Sequence, residues 1–290
     1  MARRENEYAG ANRSQFKSGA ERRKGIGKNL SFGASEAYKL LRTNLVFSMA
    51  EESKCKIIGV TSALRHEGKS TTSINLAYTL AQSNKRVLLI EGDMRIPVFA
   101  STLRIGGKIG LSHVLAGMNS LNEAVHENVL LPKMYVITAG DMPPNPSELI
   151  SSKRMERVLE ALSTAFEYII IDLPPVNAVS DGLAISRMLS GMLVVVRQDY
   201  CDHQSLAEAM QKMELLEVKV LGFVFNDADA SGKRYKKYGK NYNKHYNKRY
   251  DHYSYGYGQK DYRSESAVNE RVEFAPIGDI EIEKGAEDHV

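Results

Sequence analysis

Three features of the sequence predict an α/β fold built on a doubly wound, mainly parallel sheet. Short runs rich in Val, Ile and Leu recur along the chain, longer stretches of helical periodicity separate them, and 290 residues suit one such domain with tails. Strands buried on both faces read as continuous apolar runs, and six segments do so: Ile57-Ile58-Gly59-Val60, Val87-Leu88-Leu89-Ile90, Tyr135-Val136-Ile137, Ile169-Ile170-Ile171, Leu193-Val194-Val195-Val196, and Val220 to Phe225. Residues 71–84, 146–165, 180–190 and 203–216 carry the helical period. Pro146 suits a first helical turn, and Ser180-Asp181 opens the third helix. No internal repeat occurs at solenoid or propeller spacing.

Charge divides the chain into four expected parts: a basic flexible arm over 1–30, a globular domain over 31–232, a basic tyrosine-rich tail over 233–263 and an acidic tail over 264–290. Residues 233–263 hold ten Lys/Arg against two acids, a net +8, whereas residues 264–290 hold eight acids against two bases, a net −6. Nine of the fifteen tyrosines, Tyr235, Tyr238, Tyr242, Tyr246, Tyr250, Tyr253, Tyr255, Tyr257 and Tyr262, crowd into the basic tail. So few aliphatic residues accompany them that burial cannot offset the entropy of ordering, so both tails are expected to be disordered, with exposed phenols. Tyr238, Tyr242, Tyr246 and Tyr250 repeat every four residues, which would also make a helical stripe, and basic residues among aromatics also suit single-stranded RNA; interspersed Asn and Gly argue against the helix. Cys55 and Cys201 have no paired or metal-ligand spacing and fit packing in a reducing compartment. No apolar run reaches the roughly 18 to 20 residues of a membrane span, and no apolar leader opens the chain, so the expectation is cytoplasmic.

Ala63-Leu64-Arg65-His66-Glu67-Gly68-Lys69-Ser70 lies directly after the first strand and before a helix. Backbone N–H groups of such a loop wrap phosphate oxygens, Lys69 adds charge toward the terminal phosphates, and the Ser70 hydroxyl can ligate magnesium. The usual first glycine is Ala63 here, and the loop interior lacks glycine, which narrows its backbone freedom. The Ile169–Ile171 strand ends in Asp172, which at the carboxyl edge of a parallel sheet faces the same crevice and can hold magnesium; a turn cap is the alternative, weakened by Pro174-Pro175. Glu91, Asp93 and Arg95 follow the second strand as a magnesium ligand, a candidate base and a phosphate or acceptor contact, or else as a solvated salt-bridged turn.

Together these motifs resemble the bacterial tyrosine kinases of the capsular and exopolysaccharide type, a P-loop NTPase group, from about Ser35 to Asp229 plus the tyrosine tail. Residues 143–149, 179–182 and 222–226 also look like that family's. The resemblance implies an ATP site of Glu67, Gly68, Lys69, Ser70, Thr71 and Asn226, the last near the adenine. It implies magnesium on Ser70, Asp93 and Asp172, and catalysis by Lys69, Asp93, Glu91 and Asp172. Glu91 stands where the family usually has aspartate, so Asp93 ranks above it as base. Glu36, Lys39 and Arg42 resemble a subunit-contact helix and fall on one helical face, where opposite charges of a neighbour could match them in a ring; an exposed charged face without a partner is the other reading.

The implied activity is transfer of the ATP γ-phosphoryl group to tail tyrosines in trans, regulating capsular or exopolysaccharide synthesis and export. The implied partner is a membrane chain-length or adaptor protein whose cytoplasmic tail activates the kinase; nucleic acid is not the expected partner. The competing function is a positioning ATPase of the MinD/ParA type. Those proteins carry an extra lysine near the start of the phosphate loop, where this chain has Leu64, and need no tyrosine tail.

Overall fold

The computed structural model describes residues 25–49 and 55–228. The basic arm before Gly25 and both tails after Ala228, including all nine clustered tyrosines, lie outside the described residues. Contacts divide the chain into two units, and every described residue through Asn226 belongs to the first.

A seven-stranded sheet runs in the order β3-β4-β2-β5-β1-β6-β7. The strands are β1 (Lys56–Ser62), β2 (Val87–Glu91), β3 (Val125–His126), β4 (Met134–Ile137), β5 (Tyr168–Asp172), β6 (Gly191–Arg197) and β7 (Val220–Asn226). All neighbours pair in parallel except β3, a two-residue strand antiparallel to β4. The six expected strands are present; β3 is too short to carry an alternation signal. β1 sits between β5 and β6, and β2, β4 and β5 are almost wholly buried, which is why their sequences are unbroken apolar runs.

The helices are α1 (Phe32–Ser48), α2 (Lys69–Gln82), α3 (Phe99–Leu103), α4 (Leu111–Leu115), α5 (Leu121–Ala124), α6 (Pro146–Ile150), α7 (Lys153–Ser163), α8 (Asp181–Ala184) and α9 (His203–Leu215). α2 packs along the sheet with Thr72 through Ala81 all buried, and its Ile74, Leu76, Ala77 and Leu80 join Ile58, Val60, Leu89, Ile170 and Leu193 in one core.

Two helical expectations need correction. Residues 146–165 form two helices, because Ser152 accepts the Met155 N–H at 3.2 Å and caps a new start, while Ser151 donates to the Ser147 carbonyl. Met155, Val158, Leu159 and Leu162 then give α7 a clean inward stripe. Residues 180–190 hold only α8 and a 3-10 turn at Ser186–Met188.

Candidate active site

The carboxyl ends of β1, β2, β5 and β7 converge on the loop before α2. Gly68 takes a left-handed conformation with φ 94° and caps α2, so Lys69, Ser70 and Thr71 form the first helical turn, with its N–H groups unpaired within the helix. A side chain at 68 is excluded twice over, since a Cβ would lie 2.1 Å from Asn226 Nδ2. The glycine-poor loop solves its geometry by placing His66 at φ 65°, a region histidine enters more readily than most residues.

Glu67, expected at the nucleotide, is fully buried with its carboxylate turned into the protein. One oxygen accepts the Leu64 N–H at 2.7 Å and the other accepts the Arg197 N–H of β6 at 3.2 Å. Its backbone carbonyl accepts from Asn226 Nδ2 at 2.8 Å. Glu67 therefore braces the loop against β6 and β7 in place of the missing glycine framework. Burial and the adjacent Glu67 carboxylate push the Cys201 thiol up to about 12, so this cysteine stays protonated beside the brace.

Lys69 Nζ donates to Asp93 Oδ2 at 3.2 Å, and both side chains are largely shielded. The other Asp93 oxygen accepts the Ile96 N–H at 3.2 Å. The Gly92 and Asp93 N–H groups bind the Asp172 carbonyl at 2.8 and 3.1 Å, which locks the β2 tip onto β5. Asp172 is buried, and burial pushes its carboxyl up to about 6 although the Lys69 charge and the Ser70 and Ser73 hydroxyls oppose it. Its Oδ1 accepts from Ser73 Oγ at 3.2 Å, whereas its buried Oδ2 has no hydrogen-bond partner. An orphaned carboxylate oxygen near the Ser70 hydroxyl fits a hard divalent cation such as magnesium, which completes its shell with water and phosphate. Among the described residues no cluster of three or more His, Cys, Asp or Glu side chains could hold a metal by itself.

Glu91 sits at the β2 tip, but its carboxylate is committed elsewhere. One oxygen accepts the Phe99 N–H at 2.7 Å and, more closely, the Val98 N–H; the other accepts the Ala139 N–H at 3.0 Å. Burial pushes the group up to about 7 despite these donors. Glu91, expected as a catalytic residue, caps the start of α3 and ties it to the end of β4, and Asp93 is the carboxylate that meets Lys69.

Some residues escaped sequence reasoning. Ser73, one turn after Lys69 on the same helix face, could have been found from the i, i+4 spacing. Asp181 and Ser147, which bind Arg95, lie 86 and 52 residues away from it, and no spacing rule connects them. On α1, Glu36 and Lys39 pair with each other at 2.7 Å, and Arg42 donates to the Thr79 carbonyl of α2 at 2.9 Å.

A family model described as an AAA domain matches residues 55–220, more than half the chain. The tyrosine-protein kinase CpsD of Streptococcus agalactiae is 36% identical over 205 residues, covering 70% of this chain and 88% of that protein. The chain belongs to the bacterial tyrosine-protein kinases. Its kinase unit superposes on the kinase domain of the Escherichia coli tyrosine kinase ETK with a TM-score of 0.65 and 33% identity, over 70% of this chain and 80% of that one. The septum site-determining protein MinD of Pyrococcus horikoshii, solved with Mg-ADP, gives a TM-score of 0.50 over 59% of this chain and 70% of that one; at 20% identity it shares the fold alone. This kinase is thus an ATP-to-tyrosine phosphotransferase whose fold is also that of nucleotide-binding P-loop ATPases. Among its described residues no helix is long and apolar enough to cross a membrane.

Proposed function

We propose that this kinase transfers the γ-phosphoryl group of ATP to the clustered tyrosines of another copy, and so regulates capsular or exopolysaccharide synthesis and export. The observation that carries this reading is the contact between Lys69 and Asp93 beside a buried Asp172 with one oxygen unpaired. The α2 N-terminus and Lys69 bind the phosphates, with Thr71 exposed beside Ser70 on the first turn. Ser70, Asp93 and Asp172 are the residues that would hold magnesium, which when bound neutralises charge on the β- and γ-phosphates. Asn226, packed on the phosphate loop, is assigned the adenine side by the family resemblance, which leaves the β2 side for the acceptor. There the phenolic oxygen bonds to the γ-phosphorus as the bridging bond to ADP breaks, and the phenolic proton passes late to Asp93.

An acidic crevice attracts a tail of net +8, which gives acceptor and site a reason to meet. A membrane adaptor is the proposed partner and activator, placing the kinase at the inner face of the cell membrane as a homo-oligomeric ring. Leu64, at the position where the MinD/ParA type carries its extra lysine, favours the kinase over a positioning ATPase. Incubation of the full chain with labelled Mg-ATP and the adaptor's cytoplasmic segment tests the reading. Label is expected on tail tyrosines and is lost in Lys69→Met; free phosphate without phosphotyrosine would overturn it.

A further inference from the structure

Three segments distant in sequence meet at Arg95. Its Nε donates to Asp181 Oδ2 at 2.9 Å, and its Nη2 donates to Ser147 Oγ at 3.0 Å and to Asp181 Oδ1 at 3.4 Å. Ser147 Oγ closes the triangle with a short hydrogen bond to Asp181 Oδ1. The Asp181 side chain is 5% exposed and that of Arg95 37%. The three residues follow β2, β4 and β5, which are neighbours in the sheet, so one guanidinium ties together the segments that come after three adjacent strands.

Arg95 also lies inside the turn that Asp93 closes. One Asp93 oxygen accepts the Ile96 N–H and the other receives Lys69, so the carboxylate is tied to the backbone of the 93–96 turn. We propose that Arg95, clamped by Asp181 and Ser147, is a positioning residue for phosphoryl transfer, setting through the 93–96 turn where Asp93 meets Lys69. The inference rests on the reading of Lys69 and Asp93 as the reacting pair. Misplacement near 1 Å costs about 100-fold in rate, so a directional clamp matters here even if it adds little stability. Lysine in place of Arg95 keeps the charge but not the planar fork that reaches Asp181 and Ser147 together.

The test compares the full-length chain with Arg95→Lys, Asp181→Asn and the double variant, using the Lys69→Met full-length chain as phosphate acceptor. Each single variant is expected to lose about tenfold or more in kcat, with Mg-ADP affinity within about twofold of wild type. The double variant should be no slower than the slower single one, because both changes break one clamp. A kcat within about twofold of wild type, single losses that multiply in the double variant, or a parallel loss of nucleotide affinity would each overturn the proposal. Wild-type protein that hydrolyses ATP without labelling tyrosine would sink the kinase reading, and the same comparison of hydrolysis rates would then decide the clamp. Wild-type protein that does neither overturns both.

Discussion

Glu91 offers two oxygens to three backbone N–H groups in a site nearly closed to water. Its carboxyl is raised to about 7 from an ordinary 4.5, so the stability it contributes is fully present below about pH 4.5 and is lost as pH rises through about 7. Glu91→Gln keeps one acceptor oxygen but sets an amide NH2 against a backbone donor. A flatter stability profile between pH 5 and 7 than wild type shows is expected in denaturant titrations, because the amide does not titrate. Glu67 is the second buried carboxylate with a bracing role. Glu67→Gln should leave either the Leu64 or the Arg197 N–H unsatisfied, and since about 1.4 kcal/mol of loop distortion is tenfold in binding, Mg-ADP affinity measured by calorimetry should fall about tenfold. Unchanged affinity would mean that the loop holds its shape without the brace.

The β1–loop–α2 unit was the most legible element, because strand, Gly-Lys-Ser and helix are contiguous and each part has a local steric reason. Gly68→Ala tests that unit. The φ of 94° and the 2.1 Å approach to Asn226 Nδ2 both oppose a methyl group. We expect a loss of about 1–3 kcal/mol in stability and loss of nucleotide binding. Adding Asn226→Ala should recover part of the stability, because it removes the clash and leaves the backbone strain; thermal melts of the three variants decide this. The elements that were missed or misread lack such local signals. α3, α4 and α5 have five, five and four residues, too few for a helical period to show. The break between α6 and α7 depends on Ser151 and Ser152 bonding to the backbone, which periodicity does not register.

Charge arithmetic extends to the whole molecule. Each phosphotyrosine brings about −1.5 to −2, so four to five cancel the +8 of residues 233–263. If tail docking on a neighbour holds the assembly together, Mg-ATP should lower the mass seen by light scattering at physiological salt, and equal masses before and after would rule this out. The sequence alone determined six of the sheet's seven strands, the phosphate loop and the residue types that give it its chemistry, because periodicity and loop sterics are written along the chain. Only the tertiary structure decided which carboxylates face that chemistry. Glu91 and Glu67 are consumed by backbone N–H groups, Asp93 meets Lys69, Asp172 keeps one oxygen unpaired, and Arg95 finds Asp181. The physical reason is that a buried carboxylate's partners are set by strand order, which brings β2, β5 and β1 side by side from positions far apart in the chain.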